Sequence, residues 1–333
     1  MTSLRVAVDL AGSLEPMGDS MVALSEALVE QGIAVVPYTS VRGSYGVLRP
    51  HRFYEPLPFM WRRGRGLAID RLLPPVDIIH VAGSHVPPTV RTPLLISVDD
   101  LRPLLSREDA RRVGQLRHAV ARGALIVATS YAARRQVVNA LGLEARDVAV
   151  APPVVPSVPH SFDRRHVIVS VTGMVDFFIQ LAPSIVDLSQ QLGLRVVALA
   201  SREAGAKIQA LTSGVKVESR HRARYVLAEA HSVIHLSDGA RFPSLPIAAM
   251  GCGLPTAATS SDVNRELLEG CVDLLPMDEV TEAQAIIRRL LLDEAHRTLV
   301  SSAGPVRAAD FTPNVVAQHY ESLYRDAVAG WFR

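Results

Sequence analysis

The stretch Ser237-Asp238-Gly239-Ala240-Arg241-Phe242-Pro243-Ser244-Leu245-Pro246-Ile247-Ala248-Ala249-Met250-Gly251-Cys252-Gly253-Leu254-Pro255 decides how this 333-residue chain is read. The apolar run at 233–236 just before it has the length of a buried strand. The apolar pattern over 243–251 predicts a helix. Pro243 can begin that helix, because proline lacks only a hydrogen that a first-turn residue does not use. Unpaired backbone N–H groups and the helix dipole would then favour an anion at 242–245. Cys252 lies inside the apolar frame and reads as a reduced, buried thiol.

Outward from this stretch, short apolar runs alternate with helical patterns along the chain, as expected of parallel sheets wrapped by helices. Strands are predicted at 6–10, 33–38, 76–81, 94–98, 125–129 and 148–151, and a helix at 21–31 stopped by Gly32. Residues 42–75, rich in Arg, Pro, Gly and aromatics, predict an irregular excursion. The run Ala151-Pro152-Pro153-Val154-Val155-Pro156-Ser157-Val158-Pro159 reads as a linker, since proline restricts itself and its predecessor. A second series follows, with strands at 167–171, 195–200, 215–218 and 233–236. Helices are predicted at about 181–192, 222–231, 243–251, 281–293 and 314–329. The expectation is an α/β chain of two Rossmann-like domains facing a central cleft, with ligands at the carboxyl ends of the strands.

Composition narrows the function classes. The chain is 48% hydrophobic and 20% charged, as in folded globular proteins, with a net charge of +2. That balance, without an aromatic-interleaved basic stripe, argues against a nucleic-acid partner. Cys252 and Cys271 have neither metal-ligand spacing nor a disulfide framework. His80, His85, His221, His231 and His235 show no ligand spacing with carboxylates or cysteines, so no metal is expected. No apolar run reaches the ~18 residues of a membrane span. The first residues lead into a strand without a signal peptide's pattern, which predicts a cytoplasmic protein.

The opening stretch resembles the donor-binding signature of family-four glycosyltransferases of the GT-B fold. In that family Pro-Ser-x-x-Glu-Gly-Phe-Gly/Pro leads through a few apolar residues to Glu-Ala-Met-Ala-Cys-Gly-x-Pro. The resemblance extends to 225–237 and to Glu266-Leu267-Leu268 ahead of Val272-Asp273-Leu274-Leu275-Pro276. It continues through Asp310-Phe311-Thr312 and the helix carrying Tyr320 and Tyr324. It implies an N-terminal acceptor-side domain over 1–155, a nucleotide-sugar domain over 156–313, and a helix over 314–333 crossing back. It also implies metal-independent transfer of a hexose, with retention, from a nucleotide diphosphate sugar to a lipid, glycan or small-molecule acceptor.

The frame is kept, but the family's chemistry departs at several positions. Ala240 and Ala248 stand where the family's two glutamates contact the sugar and the ribose. The strand-end segment Gly173 to Ile179 keeps the glycine and lacks both family cations. Asp99-Asp100 replaces His-Asp after a strand, and Met17-Gly18-Asp19 replaces a Gly-Gly loop. The donor side is therefore expected at Gly173, Arg202, Arg241, Phe242, Pro243, Ser244, Leu245 and Glu266. Arg241 is the preferred replacement cation, since its guanidinium fork suits phosphate oxygens. Arg202 and the cluster Arg220-His221-Arg222 are further candidates. The acceptor side falls on Gly18, Asp19 and Asp99, and Asp99 is a candidate for acid/base work. No cofactor is expected beyond the nucleotide sugar as substrate or ligand. A second reading keeps the scaffold without turnover, as a partner subunit of a second glycosyltransferase, a regulator or a sugar-nucleotide-binding module. The arginines and aromatics of 42–75 further suggest contact with an anionic membrane face.

Overall fold

The structure, a computed structural model, describes residues 4–10, 20–39, 48, 50–53, 57–61, 63, 65–82, 86–99, 101, 107–158, 164–239 and 241–331. The chain divides into two compact units. One comprises Met1–Val154 with Pro313–Arg333, the other Val155–Thr312.

The first unit is built on a seven-stranded sheet of β1 (Arg5–Asp9), β2 (Ala34–Thr39), β3 (His51–Arg52), β4 (Ile78–Ala82), β5 (Leu94–Val98), β6 (Leu125–Ala128) and β7 (Val148–Val150). The spatial order is β3-β2-β1-β4-β5-β6-β7, and every pairing is parallel. Parallel strands covered on both faces read as continuous apolar runs, and successive side chains alternate between faces. Val6, Val8 and Ile78 therefore join one core with the helix Ser20–Glu30. Ala7, Ile79 and Val81 join the other, with the helices Arg107–Ala121 and Tyr131–Leu141.

The helix Pro313–Trp331 packs Val316, Ala317, Tyr320 and Tyr324 into the first of these cores. It brings a polar cluster with it. His80 Nδ1 lies 2.7 Å from the Tyr324 hydroxyl and Nε2 lies 2.8 Å from Ser97 Oγ. Ser97 Oγ is in turn 3.1 Å from the Tyr320 hydroxyl. His80 is wholly buried, and burial lowers its pKa to about 3. The ring is neutral, and each nitrogen has a partner, which is what a buried polar group requires.

The described part of the expected excursion at 42–75 is more ordered than its composition implies. It holds β3, a short helix at Leu57–Trp61 and a 3-10 turn at Ile69–Arg71. Trp61 is fully buried and meets Phe53 edge-on at 5.8 Å. Aromatic burial of this size outweighs the local turn propensity that predicts irregular chain.

The second unit carries a six-stranded sheet of β8 (His166–Thr172), β9 (Arg195–Ala200), β10 (Val215–Ser219), β11 (Ala230–Ser237), β12 (Thr256–Thr259) and β13 (Asp273–Leu275). Its order is β10-β9-β8-β11-β12-β13, again parallel throughout. The helix after β8 runs Val175–Gln191 and includes Pro183, so it starts well before the predicted 181. The predicted helix at 222–231 is cut short at Ala223–Leu227. Beyond it Ala230 already pairs with His166 as the first residue of β11. Sheet pairing overrides the helical periodicity there.

Candidate functional site

The second sheet changes direction between β8 and β11. From β8 the chain builds outward to β9 and β10, and from β11 it builds the opposite way to β12 and β13. Ligands of open parallel sheets bind outside the carboxyl ends of the strands at such a reversal. Thr172 and Ser237 are paired at those ends. Just past them the Asp238 amide donates to the Thr172 carbonyl at 3.1 Å.

Gly173 follows β8 with φ +77°. A Cβ there would strike the Asp238 carboxylate, so both conformation and space require glycine. Gly239 has φ +82°, and a Cβ there would strike the Ser261 side chain. The ends of β11 and β12 are stitched by Thr259 Oγ1, which donates to the Ser237 carbonyl at 2.6 Å and accepts from the Ser237 amide at 3.0 Å. Ser261 Oγ accepts from the Asn264 amide at 3.2 Å and caps the helix Asp262–Leu268, which carries half-buried Glu266.

The helix of the opening stretch spans Ser244–Gly251, with Pro243 as the residue before it rather than its first residue. Ser244 through Met250 are all buried, and Phe242 is buried edge-on to Phe311 at 5.6 Å. The side chains of Phe242, Ser244 and Leu245 therefore belong to the interior, and a ligand at this end would meet backbone. That backbone has few donors. Pro243 and Pro246 have no N–H, and the Ser244 amide donates to the Phe242 carbonyl at 3.0 Å. Over 243–246 only the Leu245 amide can face an anion. Ala248 is 5% exposed and supplies no carboxylate; Ala240 lies outside the described residues.

The cations are unevenly available. Arg241 is exposed beside Phe242, and Arg202 is exposed at the first position of the helix after β9, the strand next to β8. Arg220 donates to the Val171 carbonyl at 2.5 Å. It also helps to push the buried His235, whose pKa burial has lowered, down to about 4. Arg222 pairs with Glu218 at 3.6 Å. Sequence reasoning assigned no role to Lys207, whose ammonium sits 2.6 Å from Asp176 in the first turn after Gly173. Nor did it single out Asp238, although a carboxylate ending an apolar strand is a visible signal.

Gly173, Arg202, Arg241–Leu245 and Glu266 thus all fall on segments following β8, β9, β11 and β12 in the second unit. In the first unit, Asp99 ends β5, is buried, and accepts from Thr129 Oγ1 at 2.9 Å. A buried Asp9 ends β1, at the reversal between β1 and β4; it too carried no assignment from the sequence. Gly18, Asp19 and Asp100 lie outside the described residues. Cys252 is half-buried, and its thiol donates to the Val158 carbonyl at 3.3 Å. Burial raises its pKa. Among the described residues no group of three or more His, Cys, Asp or Glu side chains could hold a metal ion. None of the described helices is long and apolar enough to cross a membrane.

No protein-family model matches the sequence, and no curated protein does. Solved structures do. The chain superposes on HepE from Anabaena, solved with UDP and glucose, with a TM-score of 0.67 at 17% identity, covering 96% of this chain and 99% of that one. WaaG, a glycosyltransferase involved in lipopolysaccharide biosynthesis, gives 0.72 at 11% identity, with 96% and 99% covered. Sucrose-phosphate synthase from Thermosynechococcus elongatus gives 0.62 at 16% identity, with 98% and 100% covered. With its parallel sheets of seven and six strands, this chain has the two-Rossmann-domain GT-B fold of these glycosyltransferases.

Proposed function

We propose that the protein binds a nucleotide diphosphate sugar at the carboxyl edge of the second sheet and transfers its hexose to an acceptor. The observation that carries this reading is the β8/β11 reversal. There the residues resembling a donor signature, Gly173 and 241–245, follow strands whose carboxyl ends are paired. In the transfer, the bond from the anomeric carbon to the diphosphate oxygen breaks, an acceptor hydroxyl oxygen forms the new bond with retention, and the hydroxyl proton passes to the departing diphosphate. The departing diphosphate gains charge. Arg241, Arg202 and the Leu245 amide are the groups of this chain that can stabilise it without a metal. The acceptor, a glycan, a lipid or a small molecule, would meet the first unit near Asp99. HepE has been solved with UDP and with UDP-glucose, which supports starting the ligand search with UDP.

Three observations favour a second reading, in which the carboxyl edge of the second sheet binds a ligand without turning it over. Each charge-stabilising group removed from such a site costs about 3–4 kcal/mol at the transition state. Here Pro246 removes an amide and the Asp238 carboxylate sits against Gly173 where an anion would approach, while Ala248 lacks the carboxylate that the family resemblance assigns to ribose binding. A scaffold of this kind would serve as a regulator or as the partner subunit of a second glycosyltransferase.

Calorimetric titration with UDP, GDP, ADP and TDP, and with their common sugars, tests both readings. Saturable binding of one nucleotide, weakened about tenfold or more by Arg241→Ala with no loss of thermal stability, is the expected result. Donor hydrolysis or transfer by the same sample then supports the enzyme. Binding without turnover, with hydrolysis appearing in a folded Ala240→Glu, Ala248→Glu double variant, supports the silent scaffold. No binding to any nucleotide by folded protein rejects the donor site.

A further inference from the structure

The first unit holds a groove of about 770 Å³ that is remote from the carboxyl edge of its sheet. Leu94, the first residue of β5, and Ala124, just before β6, lie on its wall, which places it at the amino ends of these strands. Ligands of such sheets approach the opposite edge, so an acceptor role does not account for it. Its volume lies in the range that encloses a small organic molecule.

The walls are aliphatic. Leu67, Val86, Pro87, Pro88 and Val90 line it, and Leu67 and Val90 are 57% and 46% exposed. The apolar wall is thus open to water rather than sealed in the core. No Phe, Tyr or Trp is among the described lining residues, which offer no platform for stacking a base. Among the described residues the groove's charged lining is of one sign. Arg71, Arg111 and Arg122 contribute guanidinium groups, His118 adds an imidazole, and no described lining residue is acidic. Arg111, Gln115, His118 and Arg122 recur at helical spacing along one face. An aliphatic trough with a cationic rim is complementary to an alkyl chain ending in an anion.

The groove is also firmly built. Asp70 Oδ2 accepts the amides of Val90, Arg91 and Thr92 at 2.9, 2.8 and 3.2 Å, fixing the segment that carries Val90. Trp61 Nε1 donates to the Leu67 carbonyl at 3.0 Å, and Arg122 donates to the Thr89 carbonyl at 3.1 Å. Gly114, in the interior of the helix Arg107–Ala121, is the least expected lining residue. Glycine there weakens the helix relative to alanine. No close packing requires it, because a Cβ at Gly114 would meet nothing within 4 Å. What its missing side chain preserves is space in the groove.

We propose that this groove is a binding site for a single-chain anionic amphiphile, an alkyl chain ending in a phosphate or carboxylate. The tail lies along Leu67, Val86, Pro88 and Val90, and the head meets Arg111 and its neighbouring cations.

The test is calorimetric titration of the full chain with dodecyl phosphate kept below its micelle threshold. Wild-type protein is expected to bind about one molecule per chain saturably, and dodecyl maltoside, with the same tail and a neutral head, is not. Gly114→Leu should weaken binding about tenfold or more, and Gly114→Ala should leave it within about twofold. Both substitutions remove a helix-weakening glycine, so neither should lower the melting temperature, and lost binding cannot be assigned to unfolding. Arg111→Ala should weaken dodecyl phosphate about tenfold. Equal affinity of Gly114→Leu and wild type overturns the proposal, as does equal binding of dodecyl maltoside. So does binding to phosphatidylglycerol vesicles with none to the monomeric probe, which would mean a membrane surface rather than a pocket. Nucleotide titration of the same variants is expected to be unchanged and reports separately on the donor site.

Discussion

Gly173 is the residue at which conformation, space and charge coincide. It turns the chain out of β8 with φ +77°, and the Asp238 carboxylate fills the volume a side chain would need. Gly173→Ala should therefore destabilise the protein by about 1–3 kcal/mol, from left-handed backbone strain and the displaced carboxylate together. Asp238→Ala removes the group that is struck. The double variant should be less destabilised than the two single changes combined, a coupling readable in denaturant unfolding. Simple additivity would mean that Asp238 already rotates aside at no cost. This pair also shows what sequence can and cannot say. Gly173 stands out as a strand-end glycine, and Asp238 belongs to the opening stretch, but their contact depends on β8 and β11 being neighbours, which no local pattern reveals.

At the scale of elements, legibility followed burial. The inner β strands of both sheets are covered on both faces, so their apolar runs stand out, and the predicted strands at 94–98 and 195–200 coincide with β5 and β9. Helices are less legible where their polar residues dominate. Arg107–Ala121, rich in Arg, carries only a narrow apolar stripe of Val113, Leu116 and Ala119 and went unpredicted. The helix Ser244–Gly251 is legible for the opposite reason, being apolar and buried all round. Its first turn makes a further expectation testable. Pro246 deletes an N–H that would point out of the amino end, so Pro246→Ala restores a donor without adding charge. If a diphosphate sits there, the variant should bind the cognate nucleotide at least about tenfold more tightly, since a hydrogen bond to a charged group contributes about 1.5–3 kcal/mol. Unchanged affinity in a folded variant would remove the phosphate from this helix end.

Across the whole molecule, each unit encloses a histidine that is neutral because it is buried. His80 lies among Tyr324, Ser97 and Tyr320 in the first unit, with its pKa lowered to about 3. His235 lies in β11 of the second, with its pKa lowered to about 4 by burial and then by Arg220. An unfolded histidine titrates near 6.5. Below that pH the unfolded chain takes up a proton at each position, and the folded chain does not until about pH 4 or 3. Stability therefore rises with pH across this window, is fully present above about 6.5, and is lost as the pH falls. Each buried ring contributes a slope of about 1.4 kcal/mol per pH unit to its own unit. His231, half-buried with its pKa lowered to about 4 by burial and by Arg297 and Arg164, acts in the same direction with a smaller effect. Urea unfolding should show midpoints that are level from pH 8 to about 7 and fall steeply towards pH 5. His80→Gln keeps a donor and an acceptor for Tyr324 and Ser97 but cannot be protonated. It should flatten the pH dependence of the first unit and leave that of the second intact. If wild-type midpoints stay level down to pH 5, neither ring is held neutral by the fold, and the His80 cluster must open to water before the unit unfolds.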